Sequence, residues 1–321
     1  MFQKLAYLNL EKYFFESYRA NNILTNKQTN QIMVSMHPVT QAAVWMSGAL
    51  VSLGAMAVAT RELSAFLSIS QILFFRSAFG LLIISFFLFR TNWRQVISPQ
   101  LGSHFVRNLS HLCAQYTWIY GIIFIPMAEV FAIEFTAPVW TTIMAAIILK
   151  ERITYPRVVS IVLGLVGVLL IVRPGLTLVH HAALVVLAGA VCFALAYTMT
   201  KKISSTDTPL CILFYMTAIQ LPLTLVPSAL DWQPVVHQAW PLIAVIGVVA
   251  LTAHYCMARA MKMTDATIVV PMDFLRLPLI AVVGAMLYGE KVEIWVYVGA
   301  AVILAGNMFS IKMERRTKKK T

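Results

Sequence analysis

The sequence predicts an all-α integral membrane protein with ten transmembrane helices, arranged as two inverted five-helix repeats. Three observations lead to this prediction: an apolar composition, ten apolar windows of membrane-spanning length, and a self-similarity of the chain at one fixed offset. Of the 321 residues, 60% are hydrophobic and 12% are charged, and the mean hydropathy is +0.78. This composition excludes a soluble globular domain.

The apolar windows define the predicted helices. A helix needs about 20 apolar residues to cross the hydrocarbon core of a bilayer. Windows near this length cover residues 39–60, 69–89, 103–123, 127–149, 156–172, 179–200, 209–230, 238–259, 266–289 and 293–312. We therefore divide the chain into a polar cytoplasmic N-terminal tail (1–38), a first five-helix repeat (39–173), a second five-helix repeat (178–312) and a basic cytoplasmic tail (313–321).

The N-terminal tail has two interpretations, and both stay open. No cleavable signal is predicted, because residues 1–38 are polar and the window 39–60 is too long for the apolar region of a signal peptide. Met33 and Met36 stand just before the first window, so translation could begin there. Alternatively, the whole stretch is a disordered cytoplasmic tail.

Positive charge is distributed unevenly around the windows. With the N-terminus placed in the cytoplasm, 19 of the 25 Lys and Arg residues lie on the cytoplasmic side. Three lie outside (Arg61, Arg173 and Lys291) and three lie within windows. This bias predicts a multi-pass membrane protein with ten helices and both termini in the cytoplasm. The expected partners are the lipid bilayer and a small-molecule metabolite, with a homodimer left open and no nucleic acid.

The chain resembles itself at an offset of 139 residues, the separation of Glu134 and Asp273. The same offset places the Ala-x-Tyr of residues 114–116 on that of 253–255, and Glu151 on Glu290. Each repeat holds five windows, an odd number, so the second copy must be inverted in the membrane relative to the first. Inverted repeats are common in alternating-access carriers.

The ends of the two repeats resemble the EamA-type carriers of the drug/metabolite transporter superfamily. The resemblance rests on EFTAPVWTTIMAAIILKER and PMDFLRLPLIAVVGAMLYGEK, on the glycine-rich helices that follow them, and on FFRSAFG in the second window. It covers about residues 40–312 and implies transport of a small organic metabolite. The stretches FFRS and AEVFAIEFTAPVW are most similar to the branch of S-adenosylmethionine and riboflavin uptake carriers. Lys150 departs from the pattern, since the second repeat has Gly289 there, and predicts a differently built turn.

Polar side chains of the third window are expected to line a substrate cavity. Arg107, His111, Gln115 and Trp118 recur at helical spacing within an arc of about 100°. A stripe of this kind should face the interior of the bundle. For His111, an ordinary packed position in the core remains an equal alternative.

The fourth window contains an acid and a helix breaker on one face, Glu134 and Pro138. The proline frees a backbone carbonyl one turn earlier and lets the helix bend toward a polar lumen. Arg76 of the second window lies at a similar depth in the membrane, so we expect it to pair with Glu134. This pair is either part of the substrate site or purely structural.

In the ninth window, Asp273 and Arg276 are three residues apart and therefore neighbours on one helix face. They either neutralise each other or bind the charged groups of a zwitterion or a proton. Small residues of the fifth and tenth windows, among them Ser160, Gly167 and Gly299, are expected to form a seam of close helix contact.

Enzyme chemistry has no sequence motif to support it. A phosphate-binding loop, a nucleophile elbow, HExxH and paired Cys or His ligands are all missing, so no catalytic residue, cofactor or metal site is predicted. Four cysteines stand in separate windows without CxxC spacing and are interpreted as packing residues: Cys113, Cys192, Cys211 and Cys256.

These patterns predict a transporter that moves a small charged or zwitterionic organic metabolite by alternating access. Two alternatives stay open: a proton-coupled exporter of amino acids or drugs on the same fold, and a membrane sensor or assembly subunit that transports nothing. Each buried acid has an arginine within plausible reach, which favours exchange or uniport over proton antiport.

Overall fold

The computed structural model describes residues 38–150, 154–172, 180–263, 269 and 272–318. Residues 1–37 of the N-terminal tail and the last three residues of the basic tail lie outside them. Within the described residues all regular secondary structure is helical, with α-helices as follows: α1 Pro38–Leu63, α2 Ile69–Arg90, α3 Leu101–Phe124, α4 Met127–Glu134, α5 Ala137–Ile148, α6 Tyr155–Val172, α7 His181–Ile203, α8 Pro209–Leu230, α9 Ala239–Met263, α10 Arg276–Tyr288 and α11 Ile294–Lys318. A short 3-10 helix, Trp93–Val96, precedes α3.

Many of these helices are long and apolar enough to cross a membrane. In the described part of the chain, seven segments meet both criteria: Thr40–Leu63, Ile69–Arg90, Met127–Ile148, His181–Ile203, Pro209–Leu230, Ala239–Met257 and Ile294–Met313. The apolar helix Tyr155–Ile171 is shorter. Helix α3 has spanning length but carries several buried polar residues. The chain is therefore a multi-pass helical membrane protein.

The most extensive helix contacts join α1 to α9, α3 to α7, α6 to α11 and α2 to α8. At the offset of 139 residues, α1 corresponds to α7 and α3 to α9. Likewise, α2 corresponds to α8 and α6 to α11. Each of the four contacts thus joins a helix of the first predicted repeat to one of the second.

Small residues bring α6 and α11 into backbone contact, as the sequence predicts. A Cβ atom on Gly167 would lie 2.7 Å from the carbonyl oxygen of Gly299, and one on Gly299 would lie 2.6 Å from that of Gly167. Further along the same seam, the Ser160 hydroxyl donates to Asn307 Oδ1 at 3.0 Å. The two backbones can approach this closely only because no side chain separates them.

The fourth predicted helix is broken between the acid and the proline. Helix α4 ends at Glu134, and α5 begins at Ala137 with Pro138 in its first turn, where the missing N–H of proline costs no hydrogen bond. Helix α10 also begins directly after a break in the helix: Phe274 is helical, Leu275 is a turn residue, and α10 starts at Arg276. The Phe135 and Phe274 rings stack with centroids 4.2 Å apart. The two helix breaks therefore meet in the core.

The turns that follow the broken helices have the same backbone conformation at their first residue, contrary to our expectation. Lys150 has φ 55° and Gly289 has φ 64°, both in the left-handed region. Glycine adopts this region freely, whereas a residue with a Cβ atom pays about 1 kcal/mol or more. The first repeat thus forms the turn with lysine in place of glycine.

Candidate functional site

A cavity of about 450 Å³ lies beside the two helix breaks. It is bounded by side chains of α1, α2, α3, α7, α9 and the two broken helices. Eight of the nine predicted site residues line it: Arg76, His111, Gln115, Trp118, Glu134, Pro138, Asp273 and Arg276. The ninth, Arg107, is buried on the same face of α3 but is not part of the lining. The volume falls within the range of small-molecule sites.

Glu134 is the centre of a charged network in the cavity wall. Its carboxylate accepts hydrogen bonds from Trp118 Nε1 at 3.0 Å and from Arg276 Nη2 at 3.2 Å. Arg276 Nη2 also lies 3.5 Å from Asp273 Oδ2. The guanidinium group stands over the rings of Phe131 and Phe135, 4.8 and 4.9 Å from their centroids. The network therefore holds one cation between two acids.

The expected pair of Arg76 and Glu134 is wrong. Both residues line the cavity, but the partner of Glu134 is Arg276 of the ninth predicted helix. Equal depth in the membrane does not determine which sides of two helices face each other, and the break before α10 brings Arg276 next to the acid. Among the described residues, no carboxylate lies within ion-pair distance of Arg76.

Arg107 also lacks an acidic partner in the part of the chain that the structure describes. Its Nε donates to Thr200 Oγ1 at 3.2 Å and its Nη1 donates to Asn108 Oδ1 at 2.6 Å. Both acceptors are neutral. Arg76 and Arg107 are only 7% and 6% exposed. One part of the bundle interior thus carries two positive charges, and no carboxylate of a described residue balances them.

Several buried polar atoms of the cavity residues have no hydrogen-bond partner among the described residues. They are Asp273 Oδ1, Gln115 Oε1 and Arg276 Nε. Buried polar atoms are usually hydrogen-bonded, and these three are shielded from solvent, so a bound molecule could reach them only after a rearrangement of the wall.

The second repeat contributes cavity residues that sequence reasoning missed. His254 and Met257 of α9 line the cavity, as do Phe193 and Tyr197 of α7. A signal for two of them was present, because the 139-residue offset places Gln115 on His254 and Trp118 on Met257. Corresponding positions of α3 and α9 therefore line one cavity.

At the start of α3, a polar cluster joins the two predicted repeats. His104 Nε2 lies 2.7 Å from Asp207 Oδ2, and the Ser98 hydroxyl donates to the same oxygen. Burial alone would raise the pKa of Asp207, but hydrogen bonds from Ser98, His104 and Thr206 hold that pKa below its ordinary value of 3.8. One ligand atom each of His104, Asp207 and Cys211 lies within 4.8 Å of the others, close enough to hold a cation.

A second cluster joins the repeats near the opposite end of α3. Glu290 is paired with Arg61 and accepts a hydrogen bond from the backbone N–H of Met127 at 3.0 Å. Next to it, the Tyr288 hydroxyl donates to Glu62 Oε1 at 2.7 Å. The carboxylate of Glu290 thereby satisfies a free N–H at the start of α4.

Comparison with known proteins shows to which family the chain belongs. The profile of the EamA-like transporter family matches residues 40–173 and again residues 180–311. One solved crystal structure superposes with a TM-score of 0.58 at 15% identity, over 87% of this chain and 99% of the other. That likeness shows the fold alone.

Curated relatives are transporters of small molecules. A riboflavin transporter of Vibrio cholerae is 27% identical over 68% of this chain and 74% of its own length. An S-adenosylmethionine uptake transporter of Rickettsia felis is 24% identical over 85% of this chain and 92% of its own. A pseudopaline exporter of Pseudomonas aeruginosa is 30% identical over 76% of this chain and 86% of its own. The chain is thus a transporter rather than an enzyme, and it belongs to the EamA-like transporter family.

Proposed function

We propose that the protein carries a small charged or zwitterionic organic metabolite across the bacterial inner membrane by alternating access. The observation that supports this most is the cavity at the meeting point of the two helix breaks, with buried groups of both charges in its wall. Buried ionisable residues are costly in a membrane and typically mark a transport pathway. Broken helices near the midplane are typical of carrier binding sites.

The architecture that we propose has ten transmembrane helices in two inverted repeats, residues 39–173 and 178–312, with cytoplasmic tails at both ends. The crossed contacts of α1 with α9 and of α3 with α7 favour it, because a two-fold relation exchanges these pairs. The stacking of Phe135 on Phe274, two residues at equivalent positions, also favours it. Tags on both termini should then be accessible only from the cytoplasm, whereas an external C-terminal tag would contradict this topology.

The two polar clusters at the ends of α3 are suited to close the cavity from opposite sides. Each cluster links one repeat to the other, His104 to Asp207 at one end and Arg61 to Glu290 at the other. A carrier must open one end while the other stays closed, and networks of ion pairs and hydrogen bonds between two bodies can provide such a two-state contact.

Counterflow in proteoliposomes tests the proposal. The relatives suggest riboflavin and S-adenosylmethionine as solutes, and amino acids complete the panel. Vesicles preloaded with one unlabelled solute should take up its labelled form in a saturable manner. Glu134→Gln should reduce the uptake about tenfold or more, and Arg94→Gln on an exposed segment is the matched control. Absence of counterflow for every solute would contradict a carrier and favour a sensor or assembly subunit.

Proton-coupled export is a second candidate, which the unpaired Oδ1 of Asp273 favours. Glu134 is held by Arg276 and Trp118, so we expect little accumulation of solute when only a pH gradient is imposed. Strong pH-driven accumulation that disappears in Asp273→Asn, while counterflow persists, would establish proton coupling instead.

A further inference from the structure

Two buried arginines face the cavity side of α2 and α3 without an acidic partner among the described residues. Arg76 is part of the cavity wall, and Arg107 lies one helical turn before His111 on α3 with neutral hydrogen-bond acceptors. The network around Glu134, by contrast, contains two acids and one cation. The formal charges therefore leave one side of the site positive and the other side negative.

An unbalanced buried charge is strongly unfavourable in a membrane protein. The buried charge of Arg107 is partly compensated, because hydroxyl and amide oxygens accept its hydrogen bonds. Arg76 is only 7% exposed, yet it donates no hydrogen bond to another described residue. A bound anion in the cavity would supply the negative charge and the hydrogen-bond acceptors that the described protein groups do not offer to Arg76.

His111 adds a neutral donor to this part of the wall. Gln220 Nε2 lies 3.2 Å from the carbonyl oxygen of Asn108, which can only accept, so the amide nitrogen must face it. The same Nε2 lies 3.0 Å from His111 Nδ1. His111 Nδ1 therefore accepts a hydrogen bond, and the ring proton is on Nε2. His111 thus presents an N–H group, as Arg76 does.

We propose that Arg76 and His111 form an anion subsite that binds the carboxylate of the transported metabolite, while Asp273 receives its ammonium group. This inference rests on the proposed function and narrows its substrate class to amphoteric metabolites of the amino-acid type, as opposed to uncharged ones. Asp273 is the more accessible of the two acids in the cavity wall, with 22% of its side chain exposed against 13% for Glu134. Phe193 and Tyr197, whose rings are stacked 6.0 Å apart, line the same cavity and offer an apolar surface to the rest of the metabolite.

Paired solutes test the anion subsite. Each member of a panel of amino acids and S-adenosylmethionine is compared with an analogue without the carboxylate charge, either its methyl ester or its decarboxylated amine. Riboflavin serves as a solute without a carboxylate. Binding is measured by the shift in the melting temperature of the purified protein, and transport by counterflow. At least one carboxylate-bearing solute should bind about tenfold or more tightly than its analogue.

Variants of Arg76 separate binding from a structural role. Arg76→Gln should remove the preference for the carboxylate and leave the melting temperature of the free protein unchanged or higher, because an unbalanced buried charge is lost. Arg76→Lys should retain part of the preference. Arg94→Gln, which removes an exposed arginine, should change neither quantity.

Equal binding of every carboxylate-bearing solute and its analogue would overturn the inference, including the case that none of them binds. A preference that survives in Arg76→Gln would overturn it as well, whatever the melting temperature of that variant. Counterflow of riboflavin alone would overturn the anion subsite and leave the carrier function standing, whereas absence of counterflow for every solute contradicts the carrier function itself.

Discussion

Arg276 and Glu134 form an ion pair across the two helix breaks, with Nη2 and Oε1 3.2 Å apart. The two residues are 142 positions apart in the chain and belong to different predicted repeats. Trp118 Nε1 holds the same carboxylate from α3, 3.0 Å away. This contact therefore ties both broken helices and α3 to one point in the wall of the cavity.

A double-mutant cycle tests this pair. Arg276→Gln should lower the free energy of unfolding by about 3–5 kcal/mol, because Glu134 and Asp273 lose the cation between them, whereas Glu134→Gln should cost less, because Arg276 still lies next to Asp273. The double variant should recover part of that loss, which gives a coupling energy of about 0.5–3 kcal/mol. The measurement is unfolding of the purified protein in detergent.

The same cycle with Arg76 is the control. Arg76→Gln and Glu134→Gln should be additive within about 0.5 kcal/mol, since the carboxylate of Glu134 is bonded to Arg276 and not to Arg76. Strong coupling between Arg76 and Glu134, with none between Arg276 and Glu134, would show that the observed pairing is incorrect.

Substitutions at the two left-handed positions should have opposite effects on the stability of the protein. Gly289→Ala should destabilise the protein by about 1 kcal/mol through strain alone, because its Cβ atom would meet nothing within 4 Å. Lys150→Gly should instead stabilise it by a few tenths of a kcal/mol, since relief of strain exceeds the larger entropy of glycine in the unfolded chain. Melting temperatures of the two variants check the signs. An increase for Gly289→Ala would contradict the turn geometry.

The contact of α6 and α11 makes Gly299 sensitive to a single methyl group. Gly299→Ala should destabilise the protein by about 1–3 kcal/mol, because the new Cβ atom would lie 2.6 Å from a backbone oxygen that cannot rotate away. At Gly54 the nearest atom to a Cβ would be a leucine methyl at 4.0 Å. Gly54→Ala should therefore be neutral or stabilising, as expected for glycine inside a helix. Equal effects of the two exchanges on the melting temperature would rule out backbone contact.

The cluster around Asp207 should make stability depend on pH in a defined direction. Its pKa in the folded protein lies below the ordinary value of 3.8, so its contribution is fully present above about pH 3.8 and is lost as the pH falls through the lower folded value. Asp207→Asn should cost about 2 kcal/mol at pH 7, since hydrogen bonds to a charged group are lost. The difference in melting temperature from the wild type should shrink near pH 3. A difference that grows on acidification would contradict the sign of the shift.

The sequence was sufficient to predict most of the cavity wall. Intramembrane charges are rare, so Glu134, Asp273 and Arg276 stood out against apolar neighbours, and Pro138 indicated the break next to Glu134. The stripe on α3 was predicted from helical periodicity, and its residues His111, Gln115 and Trp118 line the cavity.

Contacts between helices could not be predicted in the same way. The depth of Arg76 suggested a pair with Glu134, but the rotation of α2 about its own axis and the position of α10 decide which groups meet. Asp207 stands in a polar loop, 103 positions from His104, and no local pattern connects the two residues. His254 was not predicted to line the cavity, although the repeat offset places it on Gln115.

Access to the cavity from the two sides of the membrane tests the alternating-access mechanism most directly. Ala253→Cys adds a thiol at the cavity wall in a variant whose four native cysteines are replaced by alanine. A membrane-impermeant thiol reagent is then applied to one side or the other of oriented vesicles. An alternating-access carrier requires labelling from both sides, with protection on both by an excess of the transported solute. Labelling from one side only, with and without solute, would contradict alternating access through this cavity.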